Sequence, residues 1–428
     1  MPSWSMRLKT GKTLTQPSLF LKPSFSDCRL LRQTILGYPE EDTSEIAGFV
    51  TSLKDWYLSG GELYPQPLVE DPPKFAQKIK IIDPELHILF VGFKEDKEDL
   101  LDSKIGGTKI GDSRSTSKEP TLSGVIESIQ ALPRYEKIRQ TIQKMYPCFD
   151  GLISPLLKHQ IDNRCDIVVI PSVPITSRKF AHHQIEKARS MILDSHALLD
   201  TTYHSQLDKR DFMVMLTTNV GILQSEYSEE LISMLSYFHF DHIGLRLLNM
   251  NPSDSGNVLT VLQFIRDLRS NLKGRKNNVP IHIFNVREFG YVTYCHGATS
   301  IVSPIATSPY IHLDRENPPD PVPLGKYYHP SDMTDDTYET LCEKTMPQNF
   351  QLPCHCKICQ EMETVVKAKA SFNPFRRVHF VQAKNLEMVE IRRADPEMLH
   401  IGLKNRFANS MNMSWVPYLD TMLVPFAR

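Results

Sequence analysis

Between residues 122 and 304, short apolar segments alternate with helical segments, and this alternation constrains the fold more than any other feature of the sequence. The apolar segments have the length of buried strands, and about ten to twenty residues separate them. Parallel strands need a crossover of this length, whereas a short hairpin can join antiparallel strands. The predicted strands are 166–171, 212–216, 242–248, 281–286 and 297–304, and the predicted helices are 122–144, 156–163, 177–199, 228–238 and 258–272. This many units predicts an α/β fold in which the sheet closes into a (β/α)8 TIM-like barrel, with chemistry at the C-terminal ends of the strands.

The pattern before residue 122 is weaker. Residues 1–80 are rich in proline, and we predict an early strand at 20–25 and a helix at 43–58. A short apolar run at 87–93 is bounded by charge and predicts another buried strand. The polar segment 94–121 predicts a long loop, which is either a disordered insertion or a lid over a substrate.

The composition is that of an ordinary globular protein, with 41% hydrophobic and 23% charged residues in a chain of 428. No apolar run reaches the roughly eighteen residues of a membrane-spanning helix. The first residues do not lead into an apolar signal core, so we expect a cytoplasmic protein with no membrane partner. The formal net charge of −1 gives no global attraction to nucleic acid. A local patch is available, because residues 360–428 hold ten Lys and Arg against seven Asp and Glu.

Three of the eight cysteines lie within six residues of one another, as Cys354, Cys356 and Cys359. Such a Cys-x-Cys-x-x-Cys turn can point three thiolates at one metal, and a tetrahedral zinc then needs one more nitrogen or sulfur ligand. His379 is the candidate fourth ligand, because the helix-forming stretch 361–370 is long enough to turn the chain back. The alternative is a reduced cysteine cluster without a metal. We therefore divide the chain into an N-terminal extension with the first strands (1–80), the barrel (81–345), and a zinc-binding subdomain with C-terminal helices (346–428).

A parallel barrel followed by this cysteine motif and by a histidine that opens a helix resembles the tRNA-guanine transglycosylase superfamily. That superfamily includes queuine and archaeosine tRNA-ribosyltransferases and DNA-modifying relatives. The segment 379–392 is similar to the family's zinc histidine and the apolar helix after it, so the resemblance also implies that His379 binds the metal. Two weaker similarities lie at 153–167 and at 243–245. In the family, the backbone of the strand that corresponds to 243–245 helps to hold the base. The resemblance therefore assigns Gly244 to substrate binding.

The resemblance implies a base exchange, in which a guanine in tRNA or DNA is replaced by a free purine-like base of the 7-deazaguanine type. Its implied partners are the nucleic acid and that base, and a homodimer or a heterodimer is expected. In the family an aspartate attacks the ribose and a second carboxylate moves protons. The same resemblance makes Zn²⁺ the implied metal.

The sequence departs from the family where these acids are expected. One strand ends in Val169-Ile170-Pro171-Ser172, and the strand expected to carry the nucleophile reads Thr299-Ser300-Ile301-Val302-Ser303. If the acids have moved, the candidate catalytic residues are Glu288, Asp112 and Asp150. Asp241 is a further acid, but it precedes a strand and therefore lies at the wrong end of the barrel.

The residues near these strand ends also suggest substrate contacts. Ser172 follows a predicted strand, and Tyr291 lies close enough to Glu288 to stack on a base while the acid binds its edge. The alternative for Glu288 is a loop salt bridge with Arg287. A different explanation of the missing acids is a catalytically silent paralogue that binds nucleic acid or pairs with an active subunit. A barrel hydrolase that shares only the scaffold is the third hypothesis.

Overall fold

A computed structural model describes residues 4–24, 27, 43–52, 77–86, 149–176, 178, 181–252, 254–273, 279–305, 326–330, 334–345, 354, 356–361, 369–394 and 403.

Eight parallel strands form a closed barrel, as the alternating pattern predicts. The strands are β3 (Ser18–Lys22), β4 (Ile46–Ser52), β5 (Ile79–Asp83), β6 (Ile167–Ile170), β7 (Asp211–Asn219), β8 (His242–Leu248), β9 (Ile281–Phe284) and β10 (Ser300–Pro304). Each strand pairs with the next in chain order, and β10 pairs with β3 to close the barrel. The described helices between them are α1 (Phe149–Asp162), α2 (Ala181–Thr201), α3 (His204–Leu207), α4 (Val220–Leu223), α5 (Tyr227–Tyr237), α6 (Ser255–Leu272) and α7 (Glu288–Tyr294).

Most residues of the strands are apolar, because both faces of the sheet are buried. One set of side chains packs outward against the helices, and a second set fills the inside of the barrel. An N-terminal hairpin of β1 (Trp4–Arg7) and β2 (Thr13–Gln16) adds Leu8 and Leu14 to the inner set. Lys12 of this hairpin bonds to Asp166, just before β6, with an Nζ to Oδ2 distance of 2.7 Å. The hairpin therefore covers the amino-terminal end of the barrel.

The N-terminal third is where the sequence predictions fail. The predicted helix 43–58 is wrong, because residues 46–52 form the barrel strand β4. Gly48 lies directly against β5, where an added Cβ would be 2.0 Å from the carbonyl oxygen of Ile79. β5 itself was not predicted, and with β3 and β4 it places the start of the barrel at Ser18 rather than at residue 81. The segments predicted as a strand (87–93), a loop (94–121) and a helix (122–144) lie outside the described residues.

The described C-terminal part consists of a hairpin and three helices. These are β11 (Tyr327–His329), β12 (Thr334–Asp336), α8 (Tyr338–Thr345), α9 (Lys357–Glu361) and α10 (Lys369–Arg393). The long helix α10 returns to the barrel, where Arg392 donates to the carbonyl oxygen of Pro17 at 3.2 Å. The resemblance suggested that His379 opens a helix, but His379 lies well inside α10. None of the described helices combines the length and the apolar character that crossing a membrane requires.

Candidate functional site

The four predicted metal ligands meet in one buried cluster. Cys354 and Cys356 precede α9, Cys359 lies on α9, and His379 comes from α10. One ligand atom from each residue lies within 4.8 Å of all the others. The Sγ atoms of Cys356 and Cys359 are each 3.3 Å from Nδ1 of His379. In a tetrahedral zinc site the ligand atoms are roughly 3.3–3.8 Å apart, so this cluster could hold a metal ion with little rearrangement.

Neighbouring groups fix the orientation of the histidine ring. Nε2 of His379 donates to the carbonyl oxygen of Tyr328 at 2.6 Å, which leaves Nδ1 to face the sulfur atoms. The ring of Tyr327 stacks on the imidazole, with centroids 4.3 Å apart and planes 5° from parallel. Its hydroxyl lies 3.2 Å from Sγ of Cys359. The imidazole is therefore held in place from two sides before any metal binds.

The cluster holds protons that a cation would displace. Hydrogen bonds from Cys356 and Cys359 lower the pKa of the Cys354 thiol well below its usual value. The pKa of Cys359 is raised, because its thiol donates to Cys354 and Cys356. Burial opposes a charge on His379, but bonds to Cys354 and Cys356 outweigh it and raise the pKa of His379 to about 9. Metal binding here requires proton release and is therefore favoured by rising pH.

A second buried group of polar side chains lies at the carboxyl-terminal end of the barrel. This barrel-mouth cluster consists of Lys22, Asp83, Glu85, Arg246 and Asn285. Nζ of Lys22 is 3.0 Å from Oδ2 of Asp83 and 3.3 Å from Oδ1 of Asn285, and it also binds Glu85. Arg246 binds the same Oδ2 of Asp83 and lies over the ring of Phe284, 5.4 Å from its centroid. Asp83 and Arg246 have relative exposures of 0% and 1%.

The barrel-mouth cluster was missed in the sequence. Asp83 and Glu85 are the acids that the described part of the barrel places within two residues of the carboxyl end of a strand. They went unnoticed because β5 was not predicted. The available signal was Lys22 and Arg246, two cations in mostly apolar strands, since a charge buried there must be paired.

The predicted catalytic acids remain predictions. Asp112 lies outside the described residues. Asp150 belongs to the first turn of α1, and because α1 leads into the start of β6, that turn lies toward the barrel mouth. Glu288 begins α7. The side chains of Asp150 and Glu288 are outside the described part of the chain.

The guanidinium of Arg287 forms a bidentate pair with Asp335 of β12, with distances of 2.5 and 2.8 Å. The predicted salt bridge between Arg287 and Glu288 stays a prediction, because the Glu288 side chain lies outside the described part of the chain. Asp241 lies at the amino-terminal end of the barrel, directly before β8, as predicted. It accepts bonds from Lys9 and from the backbone N–H of Phe212 at the amino-terminal end of the barrel.

The three predicted substrate-binding residues lie in buried positions. Ser172 donates to the carbonyl oxygen of Met215 at 2.6 Å. Gly244 lies within β8, where an added Cβ would be 2.8 Å from the Met215 side chain inside the barrel. Tyr291 is fully buried and donates to Glu387 of α10 at 2.6 Å. Tyr291 therefore holds α7 against α10 and presents no exposed face for stacking on a base.

A scan against models of known protein families gave no match, and no curated protein matched the sequence.

Proposed function

We propose that the chain is a zinc-binding barrel of the transglycosylase type that acts as a partner or nucleic-acid-binding subunit and does not itself catalyse base exchange. The observation that carries this proposal is that the acids of the barrel-mouth cluster are buried and paired with cations. A nucleophilic carboxylate must reach the substrate, whereas Asp83 is fully buried between Lys22 and Arg246. The end of β10, where the family resemblance expects the nucleophile, carries Ser303 and Pro304.

Zinc is the metal that this donor set supports best. Three thiolates and one imidazole in a closed, tetrahedral arrangement are typical of structural zinc sites. The side chains of all four residues are buried, and a catalytic site would need an open position. The zinc is therefore assigned a structural role.

The zinc assignment is tested by elemental analysis of the purified protein. We expect one zinc per chain, and we expect Cys356→Ser to lose it and to melt at a lower temperature. Cys342→Ser is the matched control, because Cys342 lies on α8 outside the cluster. Unchanged zinc content in Cys356→Ser would refute the site.

The subunit assignment is tested by exchange of radiolabelled guanine in bulk tRNA and in duplex DNA. The protein is assayed alone and together with an active transglycosylase subunit. We expect that the protein alone exchanges no guanine, and that it binds either the active subunit or the nucleic acid. Exchange by the protein alone would overturn the proposal.

The second candidate is base exchange with relocated acids. It is favoured by the position of Asp83 and Glu85, because catalytic groups of barrel enzymes come from the carboxyl ends of the strands. If the protein alone exchanges guanine, Asp83→Asn should abolish the activity under this hypothesis. Asp241→Asn, at the opposite end of the barrel, should retain it.

A further inference from the structure

A buried ionic network joins three elements beside the metal cluster. Lys384 and Glu387 lie one turn apart on α10, with Nζ 2.9 Å from Oε2 and side-chain exposures of 1% and 2%. Glu387 also accepts the hydroxyl of Tyr291 from α7, at 2.6 Å, and the hydroxyl of Tyr328 from β11. Lys384 donates to that Tyr328 hydroxyl at 2.7 Å. We call these four residues the Lys384–Glu387 network.

The network reaches the metal ligands through β11. Tyr328 supplies its hydroxyl to the network and its carbonyl oxygen to His379. The neighbouring Tyr327 stacks on His379 and contacts Cys359. A movement of the metal-binding histidine must therefore disturb β11, and through it the network.

The network reaches the barrel mouth through the turn between β9 and α7. Arg287 in this turn lies 5.3 Å from the ring centroid of Tyr328 and 5.2 Å from that of Phe380 on α10. Two residues earlier, Asn285 has a φ of 58° and accepts from Lys22 of the barrel-mouth cluster. The left-handed backbone of Asn285 is sterically disfavoured, so surrounding contacts must maintain it.

We propose that metal binding fixes the β9–α7 turn through the Lys384–Glu387 network, so that occupancy of the metal site sets the geometry of the barrel-mouth cluster. Without the metal, nothing links Nδ1 of His379 firmly to the three sulfur atoms, and β11 alone then restrains the ring, through Tyr327 and Tyr328. Coupling between two sites is reciprocal. Weakening the network should therefore lower zinc affinity although all four ligands are intact. This inference holds whether or not the chain catalyses exchange.

The test is hydrogen–deuterium exchange of the full chain with zinc bound and after removal of zinc by a chelator. We expect chelation to increase deuterium uptake in the peptide 282–294 as well as around 354–361, while β7 stays protected. Uptake that rises only around 354–361 would overturn the inference. A rise that includes β7 would also overturn it, because zinc loss would then unfold the barrel as a whole.

Tyr291→Phe separates the network from the metal ligands. It removes one hydroxyl that donates to Glu387 and keeps the ring, so it is the mildest change available. We expect one zinc per chain, high uptake in 282–294 even with zinc bound, and a zinc Kd weakened about three- to tenfold in chelator competition. Lys158→Met, an exposed lysine on α1, is the control and should leave both quantities unchanged. Wild-type zinc affinity and wild-type uptake in Tyr291→Phe would refute the coupling.

Discussion

Glu387→Gln is the substitution that most directly tests the buried network. It preserves the shape of the side chain but removes the carboxylate that faces the Lys384 ammonium at 2.9 Å. Removing one partner of a buried ion pair costs about 3–5 kcal/mol, since the other charge stays buried. Three aromatic rings lie 4.0–5.5 Å from Nζ of Lys384 and still stabilise the ammonium in the variant, which lowers this cost by about 1–2 kcal/mol. We therefore expect a loss of roughly 1–4 kcal/mol in the free energy of unfolding.

The assay is urea-induced unfolding at a fixed zinc concentration, followed by far-ultraviolet circular dichroism. Lys384→Met and the double variant complete a mutant cycle. Because the double variant removes both charges, its loss should be smaller than the sum of the two single losses by about 2 kcal/mol. A loss below about 1 kcal/mol for Glu387→Gln, or strict additivity in the cycle, would refute the reasoning.

Three further predictions concern other parts of the chain. Burial and the nearby Lys80 lower the pKa of His159 to about 4, below its value near 6.5 in the unfolded chain. The neutral imidazole therefore contributes fully to the stability of the fold above pH 6.5, and this contribution is lost as the pH falls toward 4. We expect a loss of roughly 3 kcal/mol across this window, and His159→Gln should flatten the dependence of the urea midpoint on pH. Gly48→Ala should destabilise the barrel by at least about 2 kcal/mol, because its Cβ would collide with the backbone of β5. Gly244→Ala should cost less, because its Cβ meets only flexible methionine side chains. Comparing the melting temperatures of the two variants tests this order. Lys22→Met should also lower the melting temperature, because it leaves Asp83 and Glu85 buried without this ammonium; an unchanged melting temperature would contradict the pairing.

The barrel could be predicted where local patterns agree with the tertiary structure. β8 was predicted as 242–248 and is found as His242–Leu248, because this short, mostly apolar run is bounded by polar residues and continues a regular alternation of strands and helices. The predicted helix 258–272 lies within α6, whose start is set by the Asp254 cap. The metal cluster could also be predicted from the sequence, because the close spacing of the three cysteines determines that they can share a metal.

The remaining errors follow from contacts that are distant in the sequence. β4 was taken for a helix because a segment of seven residues has too little periodicity to separate the two states. Its identity as a strand depends on the approach of Gly48 to β5, which pattern analysis cannot detect. The barrel-mouth cluster is assembled only when the barrel closes, because Lys22 and Asn285 are 263 positions apart in the chain.

The barrel-mouth cluster and the Lys384–Glu387 network both bear on the proposed function. Replacing such groups by apolar residues is often neutral or stabilising, so stability alone does not account for four charges at the barrel mouth. What they provide is a fixed geometry, since Lys22 ties the ends of β3, β5 and β9 to one nitrogen atom. Because the cluster is buried and its charges are paired, neither of its carboxylates is available for attack on a sugar. This pairing is consistent with the proposal of a subunit that does not itself catalyse exchange, and the β9–α7 turn joins the cluster to the elements around the metal ligands.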